Sequence, residues 1–210
     1  MKRLLPVLAI IVVTLLTAHT VESEIKENIA QASDYTVPAG FMDAYEWLAA
    51  NTPEDSVVMT PSIETNIELA AYTHNRIFQA RAQNNLLSKA EVLNRMYITH
   101  KFFGISQEKF LEIITSQLGV FNFFAAEYNS RAPDSALRGY KYPVYQLPQD
   151  VAQGFLNDYT HFKIPEKIPY RLDYIFIGPR EREINIREEF LKQHNKLYDN
   201  NVITIYKYTD

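Results

Sequence analysis

The most suggestive segment for chemistry is a charged run that directly follows an apolar one. Residues 172–183, LDYIFIGPRERE, pass from a mostly apolar stretch through a Gly-Pro pair into alternating charges. Ligands bind outside the carboxyl ends of strands in open α/β sheets, so this position favours a binding site and makes Arg180 and Arg182 candidate binding residues. However, the alternating signs largely cancel as an electric field. We therefore favour a structural or solubilising use, in which the run solvates the strand exit and caps a following helix.

A second candidate surface is a tyrosine-rich stretch near the middle of the chain. Prolines and glycines are frequent in residues 129–148, which predicts a long loop. Aromatic rings beside cations could stack on a sugar or meet lipid headgroups. The alternative is that the tyrosines fold back onto the body of the domain. The residues of this surface are Tyr128, Arg138, Tyr140, Lys141, Tyr142 and Tyr145.

The remaining titratable groups indicate structural roles. Glu64 and Glu68 are one helical turn apart, and we interpret them as a solvated helix face rather than a catalytic pair. The five histidines are far apart in sequence, so no metal site is predicted. His100 and His161 are expected to act as charge partners at helix C-termini. No nucleotide-binding, hydrolase or zinc-protease motif occurs, so we predict no catalytic residue and no cofactor, and whether the chain is an enzyme stays open.

The composition excludes several classes of protein. The chain has 210 residues, a formal net charge of −4 and no cysteine. The negative charge argues against a nucleic-acid partner, which requires a dense basic face. The absence of cysteine excludes disulfides, thiolate metal sites and cysteine nucleophiles. An apolar fraction of 47% is sufficient for one packed domain.

The N-terminus predicts export or membrane attachment. Lys2 and Arg3 precede an apolar run from Leu4 to Ala18. As a helix this run would span about 22 Å, short of the roughly 30 Å hydrocarbon core of a bilayer. Residues 1–23 therefore read as a short membrane anchor or a secretory signal segment, followed by a stalk over residues 24–39. Either reading places the domain on the extracytoplasmic side, membrane-anchored or, alternatively, secreted or periplasmic.

Residues 40–210 carry the pattern of a layered α/β domain. We predict a small, mostly parallel sheet, a helical insert over about residues 85–162 and a C-terminal β-hairpin, preceded by one hydrophobic N-terminal helix. Ser88 and Ser106 are expected to cap helices within the insert, and Gly104 to separate them. The predicted strands cover residues 57–60, 76–80, 173–178 and two segments on either side of 199–201, and the predicted helices outside the insert cover residues 41–51, 63–72 and 184–195.

Three stretches, in this order behind a hydrophobic segment, resemble a known kind of domain. They are YEWLAANTPEDSVVMTP, LDYIFIGPRERE and LYDNNVITIYKY. Together they are similar to the C-terminal extracytoplasmic domain of multi-spanning membrane glycosyltransferases of the GT-C type, which include the dolichyl-phosphate-mannose mannosyltransferase-like proteins. The resemblance covers most of residues 40–210 and rests on scaffold motifs.

The resemblance implies a role near a lipid-linked sugar. In such enzymes the catalytic acidic residue lies in an early loop between membrane helices, and this sequence has no position that matches it. We therefore expect a membrane-tethered accessory or binding domain that is not catalytic alone, with a lipid-linked glycan or a multi-spanning membrane protein as partner. Two alternatives stay open. One is an exported carbohydrate-active enzyme with its site in the tyrosine loop, and the other is a secreted interaction protein with a cleaved signal peptide.

Overall fold

A five-stranded sheet with helices on both faces forms the body of the protein. The computed structural model describes residues 36–79, 81, 87–124, 128 and 147–209. The chain divides into two units, Met1–Ala39 and Gly40–Asp210, and the elements below belong to the second, with the first helix beginning at their boundary. The elements are α1 (Ala39–Asn51), β1 (Val57–Met59), α2 (Ile63–Tyr72), β2 (Arg76–Ile77), α3 (Lys89–Phe102), α4 (Gln107–Thr115), α5 (Gln149–His161), β3 (Tyr174–Ile177), α6 (Pro179–Glu183), β4 (Asn195–Asp199) and β5 (Thr204–Lys207).

The strand order is β2-β1-β3-β5-β4. The pairings of β1 with β2 and with β3 are parallel, whereas β5 pairs antiparallel with both β3 and β4. The predicted α/β class is therefore confirmed, and β4 and β5 form the predicted terminal hairpin. Parallel pairing is confined to β2, β1 and β3.

The central strands form because they are apolar along their whole length. Every residue of β1 and of β3 is buried, as expected for strands covered on both faces. On one face the rings of Phe41 and Tyr45 in α1 lie 6.2 and 5.6 Å from that of Phe176. Tyr45 also stacks on Tyr72 of α2 at 5.9 Å, so α1 and α2 cover the same face.

The helices between β2 and β3 cover the opposite face. Ile175 and Ile177 of β3 share one core cluster with Met96 of α3, Phe110 of α4 and Phe155 of α5. After α4 the chain continues through a short turn, Gln117–Gly119, into a π-helical turn, Val120–Phe124. The resulting order of layers is α1/α2, sheet, helical insert.

Local signals explain where most helices begin and end. Ser62, Ser88 and Ser106 each accept a hydrogen bond from a backbone N–H in the first turn of α2, α3 and α4, at 3.2 Å in every case. Gly104, between α3 and α4, has φ +65°, a conformation that favours glycine. The predicted caps at Ser88 and Ser106 and the break at Gly104 are therefore confirmed.

The helix predicted over residues 184–195 is wrong. The helical residues lie earlier, in α6, and only a 3₁₀ turn, Glu189–Gln193, follows. Pro179 suits the first helical position because its missing N–H has no partner there anyway. Asn185 has φ +59°, which ends the helix before the amphipathic pattern begins.

The predicted anchor over residues 1–23, and most of the predicted stalk, lie outside the described residues. Among the residues that the structure does describe, none of the helices is long and apolar enough to cross a membrane.

Candidate functional site

After each of two neighbouring parallel strands, β1 and β3, the chain continues on a different face of the sheet. After β1 the chain enters α2, which lies with α1. After β3 it passes through α6 and reaches the insert layer, where the Phe190 ring contacts that of Phe102 at 4.7 Å. Such a reversal between adjacent parallel strands opens a crevice at their carboxyl ends, where open α/β sheets bind ligands. We therefore take this edge between β1 and β3 as the candidate functional site.

A cleft of about 430 Å³ occupies this position. Its walls come from the first turn of α2, from α4 and the turn after it, and from α6 with the residue that follows. The polar lining residues are Ser62, Glu64, Lys109, Glu112, Ser116, Arg180 and Glu183. The apolar ones are Pro61, Ile63, Ile113, Leu118 and Ile184. We call this space the switch-point cleft.

Arg180 is fixed in the wall of the cleft by residues from two other elements, α1 and α2. Its Nη1 and Nη2 donate to the two carboxylate oxygens of Glu68 at 2.6 and 2.9 Å. The hydroxyl of Tyr45 donates to the same carboxylate at 2.7 Å, and the guanidinium lies 4.5 Å from the centre of the Phe41 ring. The hydrogen bonds with Glu68 raise the pKa of Arg180, while burial raises the pKa of Tyr45. Glu68 is therefore a structural partner and not part of a solvated helix face, as its spacing from Glu64 had indicated.

Glu181 lies beneath the cleft and joins the two strand exits. Its side chain is fully buried. The hydroxyl of Thr60, which follows β1, donates to Oε1 at 2.7 Å, and the backbone N–H of Gly178, which follows β3, donates to Oε2 at 2.7 Å. Burial raises the pKa of this carboxyl group, while the two donated hydrogen bonds oppose the increase. The expectation that residues 180–183 as a whole solvate the strand exit is therefore wrong for Glu181.

The structure separates the two arginines that the sequence singles out. Arg180 lines the cleft, whereas Arg182 pairs with Glu188 at 3.0 Å and donates to the carbonyl of Val202 at 3.2 Å. The contact with Val202 attaches Arg182 to the β-hairpin, and Arg182 is not among the residues that line the cleft.

Of the tyrosine-rich surface, only Tyr128 is described. It is buried, and its ring lies 6.3 Å from that of Phe124, so it belongs to the core of the insert. The other candidates of that surface lie outside the described residues; they are Arg138, Tyr140, Lys141, Tyr142 and Tyr145.

Charge within the cleft is distributed unevenly. Lys109 pairs with Glu112 at 2.7 Å, and Arg180 is neutralised from behind by Glu68. Glu64 and Glu183 are exposed and have no ion pair in the described part of the chain. The cleft therefore offers two carboxylates and a lysine–glutamate pair to a ligand, between aliphatic walls, while the hydroxyls of Ser62 and Ser116 are bonded within the protein. Among the described residues no group of His, Asp or Glu side chains is arranged to hold a metal ion.

The histidines lie elsewhere, and one of them contradicts its prediction. His100 is fully buried in α3, with Nδ1 2.8 Å from the carbonyl of Met96 and, among the residues that the structure describes, no partner for Nε2. Burial lowers the pKa of His100 to about 4, so the ring is neutral at neutral pH and is not a charge partner for the helix end. His161 makes the same type of contact, 2.8 Å from the carbonyl of Asn157, but is exposed.

Sequence reasoning identified Arg180 but missed the residues that hold it. The polar segment Thr60–Ser62, placed directly after a buried strand, was the available signal for the opposite wall. The chain matches no protein-family model, and it has no significant match among curated proteins or solved structures.

Proposed function

We propose that this protein is an extracytoplasmic, membrane-tethered accessory domain that binds the sugar part of a lipid-linked glycan in the switch-point cleft. The observation that carries the proposal is the position of the cleft at the carboxyl ends of β1 and β3, where the chain leaves in opposite directions. This is the position at which open α/β sheets bind ligands.

The chemistry of the cleft suits a ligand rich in hydroxyl groups. Carboxylates accept hydrogen bonds from hydroxyls, and an ammonium donates to them. Glu64, Glu183 and the Lys109–Glu112 pair supply both kinds of group. Ile113, Leu118 and Ile184 add aliphatic surface, which can cover the C–H faces of a sugar ring.

The wall of the cleft is held in place before any ligand arrives. Arg180 is oriented by both oxygens of Glu68, and Glu181 joins the strand exits through Thr60 and Gly178. A site supported in this way loses little conformational entropy on binding, which favours affinity.

Binding is favoured over catalysis because of where the perturbed carboxyl group lies. A general acid must reach the ligand, and a raised pKa is what such a group requires. Glu181 has the raised pKa, but it is fully buried and both of its oxygens are occupied. We therefore assign it to the support of the cleft.

The first turn of α1 is connected to the edge that carries the cleft. The carbonyl of Gly40 accepts a hydrogen bond from Asn200 at 2.8 Å, and Phe41, the next residue, contacts Arg180. Because the predicted anchor precedes residue 40, this connection is the reason for proposing a lipid-linked glycan rather than a free one.

The binding experiment uses the full chain in phosphatidylcholine nanodiscs, titrated with polyprenyl-phosphate mannose. We expect saturable binding that weakens about fivefold or more in Glu64→Gln and in Glu183→Gln, since each substitution removes one charged acceptor from the cleft. Glu54→Gln, an exposed glutamate outside the cleft, is the matched control and should bind like wild type. Absence of saturable binding, or equal weakening in all three variants, would overturn the proposal.

Membrane attachment requires a separate measurement. Alkaline carbonate should leave the full chain in the membrane pellet of expressing cells, because an inserted helix is not released by high pH. A soluble mature chain that begins near residues 21–24 would contradict the tether and favour the secreted alternative.

A further inference from the structure

A second groove, of about 660 Å³, lies at the opposite edge of the sheet. It is formed by residues 167–173, which lead into β3, and by the end of the antiparallel neighbour β5. Tyr174 and Lys207 face each other in the ladder of these two strands, which places both walls side by side. The polar residues that line this groove are Lys167, Tyr170, Arg171, Asp173, Lys207 and Tyr208.

Two cations in this groove share a single carboxylate. Oδ2 of Asp173 lies 2.7 Å from Nε of Arg171, and Oδ1 lies 3.9 Å from Nζ of Lys207. Oδ2 also accepts a hydrogen bond from the backbone N–H of Val57 at 2.9 Å. Oδ2 is therefore occupied within the protein, and the single negative charge of the carboxylate neutralises only one of the two cations.

The two cations keep donors directed at solvent. The side chains of Arg171 and Lys207 are 57% and 41% exposed, whereas that of Asp173 is 19% exposed. At 3.9 Å the ammonium of Lys207 is too far from Asp173 for a hydrogen bond. Within the described part of the chain, neither this ammonium nor the terminal guanidinium nitrogens of Arg171 have a hydrogen-bond acceptor.

An aromatic ring positions one of these cations, Lys207, and a second ring of the groove holds a further cation, Arg95. Nζ of Lys207 lies 4.3 Å from the centre of the buried Tyr174 ring, and Arg95 lies 4.2 Å from that of Tyr170. Cation–π contact orients a charged group without consuming its hydrogen-bond donors. The Lys207 ammonium is therefore held at the groove and remains able to donate.

We infer that this groove binds a phosphate group of a second molecule, with the Lys207 ammonium and the terminal nitrogens of Arg171 as the hydrogen-bond donors. A guanidinium fork and an ammonium on either side of a small space form the donor set that phosphate oxygens accept. Asp173 lies below them, orients Arg171, and limits the affinity by competing with the ligand for both cations.

The test titrates the full chain, in phosphatidylcholine nanodiscs at low ionic strength, with glycerol 3-phosphate by calorimetry. Lys207→Gln and Arg171→Gln should each weaken binding about five- to tenfold. Lys163→Gln, which removes the same charge from an exposed lysine outside the groove, is the matched control and should leave affinity unchanged. Added salt should weaken binding to wild type.

Asp173→Asn should change the affinity for glycerol 3-phosphate in the opposite direction. Removal of the competing carboxylate should tighten binding about threefold or more, although the loss of its ion pairs lowers the thermal midpoint. A purely structural role for Asp173 predicts no such gain. Each titration is made well below the thermal midpoint of that variant, so that the folded protein is measured.

The source of the phosphate is distinguished by a second nanodisc preparation that contains phosphatidylglycerol. If a lipid headgroup reaches the groove, these discs should reduce the apparent affinity for glycerol 3-phosphate in wild type. Unchanged affinity would identify a soluble phosphorylated ligand, and both outcomes support the site. The inference is overturned by absence of saturable binding up to about 10 mM probe, by a loss in Lys163→Gln equal to that in Lys207→Gln, or by weaker binding in a folded Asp173→Asn.

Discussion

The guanidinium of Arg180 and the carboxylate of Glu68 form a two-pronged ion pair, with Nη1–Oε2 at 2.6 Å and Nη2–Oε1 at 2.9 Å. The two residues are 112 positions apart in sequence, and their side chains are 25% and 18% exposed. The pair joins α6 to α2 across the switch-point between β1 and β3. It thereby fixes one wall of the cleft to the helix that forms the other.

A double-mutant cycle should show strong coupling within this pair. We expect Arg180→Gln and Glu68→Gln to be coupled by about 1.5–3 kcal/mol in the free energy of unfolding, because the pair combines two charge-assisted hydrogen bonds with partial burial. Urea unfolding of wild type, both single variants and the double variant measures this value. The Arg182–Glu188 pair, 42% and 45% exposed, is the control, and its coupling should stay below about 1 kcal/mol. Equal coupling in the two pairs would contradict a special role for Arg180.

Glu181 should make the protein less stable as the pH rises. Its pKa is raised in the folded state, so between the usual glutamate pKa and the raised value the folded protein binds more protons than the unfolded one. Stability therefore falls as pH increases through that window and is recovered on acidification. Glu181→Gln should lose this contribution, so the stability of wild type relative to the variant should increase as the pH is lowered through the raised pKa toward the usual glutamate pKa.

Urea unfolding across this pH range measures the effect. Glu183→Gln, at the exposed neighbouring glutamate, is the matched control and should follow the wild-type profile. A pH-independent difference between wild type and Glu181→Gln would show that the buried carboxyl group does not titrate in this range.

His100 should make the protein less stable as the pH is lowered, which is the opposite of the effect of Glu181. Burial lowers its pKa to about 4, so below the ordinary histidine pKa of 6.5 the unfolded chain takes up a proton that the folded chain does not. Stability should therefore fall between pH 6.5 and about 4, by on the order of 3 kcal/mol from this residue. His100→Phe should remove this loss, since the ring then packs beside Phe110 and Phe123 without a titrating nitrogen.

Thermal or urea unfolding as a function of pH compares the variants. His161→Phe substitutes an exposed histidine with the same carbonyl contact and should retain the acid sensitivity of wild type. If His100→Phe keeps the full acid dependence, other groups cause it.

Two buried tyrosines of the insert should respond differently to the loss of their hydroxyl groups. The hydroxyl of Tyr159 donates to the carbonyl of Ile105 at 2.6 Å, whereas that of Tyr97 has no hydrogen-bond partner within the described part of the chain. Tyr159→Phe should cost about 1 kcal/mol or more, since the carbonyl is left without its donor. Tyr97→Phe should be neutral or stabilising, because it removes a buried unsatisfied group. The midpoints of urea unfolding decide this comparison, and an equal loss in both variants would contradict it.

Elements whose signals are local could be predicted from the sequence. The serine caps of α3 and α4, the glycine break between them and the buried strands β1 and β3 agree with the structure because each depends on residues within a few positions of one another. The same local reasoning failed at residues 184–195. There the amphipathic pattern was present, but Pro179 starts a helix earlier and Asn185, with φ +59°, ends it.

For the candidate site, the sequence by itself determined a position and one residue: a charged exit behind a buried strand, with Arg180 in it. The tertiary structure alone decided what the neighbouring charges do. Glu181 is buried beside Thr60, 121 positions away, whose hydroxyl donates a hydrogen bond to it. Glu68 is not part of a solvated helix face, because its carboxylate accepts a hydrogen bond from Arg180 of another element. The sequence pattern does not distinguish one residue of an alternating charged run from the next. Only the packing of β1 beside β3 determines which of these side chains face the cleft and which lie beneath it.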